Sequence, residues 1–214
     1  MTINKGDFIE IDYTGTIKET NEVFDTTNEH VAKQHNIYSA QTLYKPIIIC
    51  VGEGMILRGL DTHIQGKELG TYTIELTQTE AFGIKDPKNI QMIPAKKFKE
   101  QHIQPYPGLR LNIDGMIGII KTAGGGRILV DFNHPIAGKT VIYTIEIKRV
   151  VTEHNEKINA ILTILFNLKS EQITTTEEVA TITLSKELPT QITDIITNKI
   201  IATCCIKSVT WKIP

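Results

Sequence analysis

The feature that most constrains this fold is a matched pair of strand patterns lying far apart in the chain. In DFIEIDYTG, Ile9, Ile11 and Tyr13 share one face while Glu10 and Asp12 take the other, the period of two of a half-buried strand. The same style returns in TVIYTIEI, where Val141, Tyr143, Ile145 and Ile147 face one way and Ile142, Thr144, Glu146 and Lys148 the other. TYTIEL repeats it with Tyr72, Ile74 and Leu76. Ahead of TYTIEL, MILRGLDTHIQGKELG spaces Leu57, Leu60 and Ile64 for a short helix that Gly66 stops. Residues 28–44 have weak periodicity and read as an irregular insertion.

Between the matched strands the character changes, as though a second segment had been placed inside a continuous sheet. DPKNIQMIPAKKF carries two prolines and then a short amphipathic stretch. GLRLNIDGMIGIIKTAGGGRILVDF reads as a meander of strands turning at Asp114-Gly115 and at three successive glycines. Gly124-Gly125-Gly126 leads into a strand pattern, which favours a hairpin turn over a phosphate cradle. Residues 151–214 look like a further unit. Ile158, Ile161, Leu162 and Leu165 sit at helical spacing with Glu153 and Glu156 near the start. VATITLS alternates as a strand, Ile192, Ile195, Ile196 and Ile200 mark a second helix opening near Pro189, and Val209, Trp211 and Ile213 share a face of a closing strand. The order α-β-α-β predicts a small α+β domain.

Several function classes lose support. The 214 residues carry a net charge of −1 from balanced acids and bases, so no strong field draws nucleic acid or an anionic membrane. No apolar run approaches the length of a membrane span, and the first residues, MTINKGDFIE, lack the apolar core of a signal peptide. Cys50, Cys204 and Cys205 form no paired framework and read as free thiols in a reducing cytoplasm. His30, His35, His63, His102 and His154 are scattered without metal-ligand spacing. DFNHPIAGKT ends like a phosphate-binding loop, but Asn133 stands where that loop needs its first glycine. Pro135 also removes an amide donor, and a strand follows where a helix should open.

YTGTI, EVFDTT, PIIICVGEGMILRGLD and EAFGI, followed after the insertion by FNHPIAGKTVIYTIEI, resemble the FKBP-type peptidyl-prolyl cis-trans isomerases. The resemblance is to the SlyD-like branch, in which an insert-in-flap domain interrupts the barrel after the Ala-aromatic-Gly turn. The C-terminal extension is similar to that of the long archaeal members. What this implies is an α+β fold: an antiparallel half-barrel around a short helix (residues 1–83 and 131–150), a β-rich flap insert (84–130) and a C-terminal α+β domain (151–214). The implied proline pocket is lined by Tyr13, Phe24, Asp25, Ile47, Ile56, Leu57, Leu60, Phe82, Phe132 and Tyr143. Leu60 stands where many small relatives have a tryptophan floor. Phe82 replaces the tyrosine of the usual Ala-Tyr-Gly, removing a hydroxyl able to bond a ligand carbonyl. No histidine-rich tail is present, and the case for nickel goes with it.

The implied activity is isomerisation of Xaa-Pro bonds in folding chains, with no cofactor and no metal. The alternative is a holdase-type chaperone in which the insert grips unfolded polypeptides and the barrel is weakly active or inert. On the residues alone, Tyr13 and Tyr143 also read as core aromatics. Asp25 also reads as a turn cap, and His134-Pro135 as a structural turn where the insert rejoins the barrel. The C-terminal unit is expected to add nothing to the pocket and to mediate self-association, with dimerisation favoured over docking of another protein.

Overall fold

The computed structural model describes residues 2–176 and 178–213. The chain divides into two compact units, Met1–Leu76 with Val141–Pro214, and Thr77–Thr140. The first opens with strands β1 (Phe8–Ile17) and β2 (Val23–Thr26), helix α1 (Glu29–Gln34), β3 (Ile47–Cys50), α2 (Arg58–Ile64) and β4 (Gly70–Leu76). The second holds β5 (Ile90–Pro94), α3 (Ala95–Glu100), β6 (Arg110–Ile113), β7 (Met116–Gly124) and β8 (Arg127–Asp131). The chain returns to the first with β9 (Val141–Val150), α4 (His154–Phe166), β10 (Gln172–Thr176), β11 (Val179–Thr183), α5 (Thr190–Cys204) and β12 (Ser208–Lys212).

In the first unit, β9 lies between β1 and β4, antiparallel to both. The other edge of β1 is shared by β3, along Phe8 to Ile11, and β2, along Thr14 to Thr16. Val141, Tyr143, Ile145 and Ile147 are buried while Thr144, Glu146 and Lys148 are exposed, the alternation their spacing predicts. Opposite β1 the register slips: Glu10 faces Arg149 and Ile11 faces Ile147, leaving Lys148 as the extra residue of a bulge. Ile9, Ile11, Ile49, Leu76, Ile145 and Ile147 form the core with Leu60 and Ile64 of α2, which packs on β4. Each such side chain contributes about 1.5–3 kcal/mol of hydrophobic stabilisation.

Two segments differ from expectation. Residues 28–44 contain α1, whose N-terminus Asn28 caps by accepting from the His30 and Val31 amides. With six residues and only Ala32 buried, this helix has too short an apolar face to show a period. The C-terminal order is α-β-β-α-β, not α-β-α-β: β10, β11 and β12 form a three-stranded sheet. β10 reads QITTT, a polar edge strand with every second residue exposed, so its sequence carries no hydrophobic run. β11 and β12 run parallel, and α5 supplies the crossover that a parallel pair requires. α4 buries Ile158, Ala160, Ile161 and Leu162 and packs on β3 and α5. α5 buries Ile196, Ile200 and Cys204, whereas Ile192 and Ile195 are 40% and 56% exposed, so its buried stripe is narrower than its isoleucines suggest.

The second unit is a four-stranded antiparallel sheet in the order β5-β8-β7-β6. Phe98 of α3 closes its core against Ile120, Ile128 and Val130. The Asp114-Gly115 and Gly125-Gly126 turns join β6 to β7 and β7 to β8.

Candidate active site

β1, β2 and β9 bring Tyr13, Phe24, Asp25 and Tyr143 together around Gly15. In the sheet Gly15 faces Asp25 on one side and Tyr143 on the other. The Tyr143 ring meets Phe24 edge-on at 5.7 Å and 88°, and Tyr13 at 5.8 Å and 60°. Edge-to-face pairs add about 0.5–1.5 kcal/mol beyond the area they bury. A Cβ on residue 15 would lie 2.8 Å from both Phe24 Cζ and Tyr143 Cε1, so only glycine lets the rings approach. Neighbouring strand residues normally point to opposite faces, yet Phe24 and Asp25 both reach this cluster. The register shift opposite Gly15 and Thr16 makes Phe24 the extra residue of a bulge, which re-aims its side chain.

The Asp25 carboxylate lies near the Tyr13 hydroxyl and the Thr26 amide, both of which favour its charged form. Burial raises its pKa above the ordinary value, and those two neighbours offset the rise only in part. The Tyr13 phenol is pushed up by burial and then by the charge and hydrogen bond of Asp25. Tyr143 is pushed up by burial, then by Asp25 and Tyr13. Both phenols therefore stay protonated donors in neutral solution. Behind them, Thr26 and Thr27 are 5% and 7% exposed. Thr27 Oγ1 accepts from the Tyr13 amide at 2.9 Å and donates to Asp12 Oδ1 at 2.7 Å, locking β2 to β1. Neither Gly15 nor this threonine pair stands out in the sequence pattern; a glycine inside a strand is the one available signal.

The remaining pocket residues expected from the sequence are spread over both units. Ile47 is half-buried on β3 opposite Ile11. Ile56 and Leu57 are half-buried on the segment entering α2, and Leu60 is buried on α2 itself. This segment is shaped by Asp61, whose carboxylate accepts from the Gly52 amide at 2.7 Å and the Gly54 amide at 3.1 Å. Phe82 and Phe132 belong to the second unit. The Phe82 ring stacks on His134 at 4.6 Å and 5°. His134 Nδ1 accepts from the Ile136 amide at 3.3 Å, which places the proton of the neutral ring on Nε2. Phe132 packs against the core of that unit.

DFNHPIAGKT is a hydrogen-bonded turn. Asn133 Oδ1 accepts from the Asp86 amide at 2.8 Å, and its Nδ2 donates to the Asp86 carbonyl at 3.0 Å and to Asp131 Oδ1 at 2.8 Å. Lys85 pairs with Asp131 at 3.0 Å, and the Gly138 amide donates to the Gly83 carbonyl at 2.8 Å. Gly-Lys-Thr then leads directly into β9.

A short-type peptidyl-prolyl cis-trans isomerase of Methanocaldococcus jannaschii is 31% identical over 155 residues, covering 72% of this chain and 98% of the relative. This chain belongs to the FKBP-type peptidyl-prolyl cis-trans isomerase family. The FKBP-type 16 kDa isomerase of Escherichia coli K12 is 33% identical over 111 residues, covering 50% of this chain and 74% of the relative. An FKBP-type isomerase, SlyD, of Aeromonas hydrophila is 27% identical over 154 residues, covering 66% and 61%. The family model of the FKBP26 IF domain matches residues 91–136 of this FKBP-type chain. Among the described residues, no helix is long and apolar enough to cross a membrane.

Proposed function

We propose that this FKBP-type chain isomerises Xaa-Pro peptide bonds in folding polypeptides. The observation that carries the reading is the edge-packed cluster of Tyr13, Phe24 and Tyr143, with Asp25 near the Tyr13 hydroxyl. Rotation about a peptide bond faces a barrier of about 18–20 kcal/mol because the amide is resonance-stabilised. An apolar aromatic site disfavours the charge-separated resonance form, and complementarity to the twisted amide lowers the barrier selectively. A thousandfold acceleration needs only about 4 kcal/mol at about 1.36 kcal/mol per tenfold. Asp25 orients the Tyr13 hydroxyl, and a backbone amide near Ile56 or Leu57 holds a substrate carbonyl. Phe82 and Phe132 take the pocket roles that family resemblance gives them. The same proposal includes the half-barrel, the flap insert at 84–130 and a C-terminal domain at 151–214 that pairs with a second copy.

Chaperone-like capture is proposed for the second unit. A groove of about 290 Å³ there is lined by Met92, Ile93, Phe98, Leu111, Ile113 and Met116 among others. Met92 and Met116 are 58% and 49% exposed. Methionine is flexible and polarisable, so such a surface adapts to many apolar sequences. The test pairs two assays on chelator-treated protein: cis-trans exchange of an Xaa-Pro tetrapeptide, and refolding of a protein limited by proline isomerisation. Tyr143→Ala should lose most activity in both. Replacing residues 86–130 by a short turn should spare the tetrapeptide and slow refolding severely. No acceleration of the tetrapeptide by the intact protein would remove the enzyme reading; equal losses in both assays would remove the division of labour.

A further inference from the structure

The segment at residues 51–57 is held from two directions. On the α2 side, buried Asp61 gathers the Gly52 and Gly54 amides. On the other side, Glu53 forms an ion pair with Lys199 of α5, the two side chains being 26% and 28% exposed. The C-terminal helix thus reaches the turn that leads to Ile56 and Leu57. Close to the pair lie Cys50 and Cys204, at 1% and 0% exposure. The Cys50 thiol is pushed up to about 12 by burial first, then by Glu53 and Cys204, with Lys199 pulling it down. These groups therefore crowd one spot where α5, β3 and the turn meet. Backbone bonds anchor the two ends of the segment: the Val51 amide donates to the Asp7 carbonyl at 2.9 Å, the Val51 carbonyl accepts from the Gly6 amide at 2.8 Å, and the Leu57 carbonyl accepts from the Asp61 amide at 3.0 Å. Between those ends the bonding is weaker, with the Glu53 amide 3.4 Å from the Cys50 carbonyl. The shape of the turn there depends on what grips the two carboxylates, Asp61 by accepting amides and Glu53 by accepting a cation.

We infer that Lys199 is a positioning residue for prolyl isomerisation: through Glu53 it fixes the turn that presents Ile56 and Leu57. The inference rests on the isomerase reading above. It departs from the expectation that residues 151–214 add nothing to the pocket. Lys199 touches no substrate in this scheme and acts only through the geometry of the turn. A partly exposed ion pair is a modest constraint, so the effect is graded rather than absolute.

The test measures kcat/KM on an Xaa-Pro tetrapeptide for the full-length protein and its variants. Lys199→Met and Glu53→Gln should each lose about fivefold, equivalent to about 1 kcal/mol. Their combination should lose no more than either alone, since both remove one interaction. Lys199→Arg should stay within about twofold, and exchanging the charges, Lys199→Glu with Glu53→Lys, should recover most of the loss. Hydrogen exchange at the amides of residues 52–57 should quicken in Lys199→Met while that in β9 stays unchanged. Unchanged kcat/KM in Lys199→Met, or additive losses in the double variant, would overturn the inference while leaving an active wild type and the isomerase reading in place. An inactive wild type would instead remove the isomerase reading itself.

Discussion

Phe24 and Tyr143 pack edge to face at 5.7 Å across a strand position where Gly15 has no side chain to separate them. The pair joins β2 to β9 over β1, so two strands adjacent in sequence and a distant third converge on one aromatic corner. Their contact depends on an absent methyl as much as on the rings.

Gly15→Ala is expected to force the rings apart, since its Cβ would sit 2.8 Å from each. Overpacking of this kind costs about 1–3 kcal/mol. Urea denaturation should show that loss, and tetrapeptide turnover should fall by more than tenfold in protein that is still folded. Full activity in a folded Gly15→Ala protein would show that ring spacing does not matter to the site.

Asp25 should give the site a pH signature. Its pKa is raised in the folded protein by burial, so the fold favours the neutral acid. Its contribution to stability is fully present below the ordinary carboxylate pKa of about 3.8–3.9 and is lost as pH rises through the folded value. At neutral pH the buried charge costs stability. Asp25→Asn should therefore raise the melting temperature at pH 7, with a gain that vanishes near pH 3, while lowering isomerase turnover. Thermal melts across pH 3–8 check it; a gain independent of pH would contradict the burial argument.

Asp131 has the opposite sign. Burial raises its pKa, but the hydrogen bonds of Asn133 and Lys85 more than reverse that, leaving it below the ordinary value. Its stabilisation is present above the unfolded pKa and is lost as pH falls through the folded one. The second unit should loosen first in acid, and Asp131→Asn should flatten that dependence. Asn133→Ala, which leaves the Asp86 amide without its partner and removes one of the two bonds to the Asp86 carbonyl, should cost about 1–2 kcal/mol at neutral pH. Hydrogen exchange resolved to residues 85–89 reads both outcomes.

Much of the frame is legible in the sequence because alternation is a direct record of burial. Ile9 and Ile11 against Glu10, and Tyr143 and Ile145 against Thr144, declare their faces through spacing alone. Ile158, Ile161 and Leu162 do the same for α4. β10 is not legible, because threonines on a sheet edge look like a loop. Ile192 and Ile195 mislead, since an apolar residue in the right helical phase need not find a partner. At the site, motifs single out Tyr13, Phe24, Asp25 and Tyr143. The bulge that turns Phe24 beside Asp25 is a matter of register, and no single strand's sequence contains register. The Lys199–Glu53 pair links residues whose local patterns are independent, so only the folded chain discloses it.

The pairing of β1 with β9 also sets a timetable for synthesis. β1 ends at Ile17, and its long partner begins only at Val141. At about 5–20 residues per second on a ribosome, β1 waits on the order of ten seconds for that partner. The unit from Thr77 to Thr140 is continuous in sequence and is complete before β9 emerges. The nascent chain thus finishes its interior unit while the aromatic corner is still missing Tyr143. A groove bearing two exposed methionines is formed on a chain whose aromatic corner has yet to be assembled.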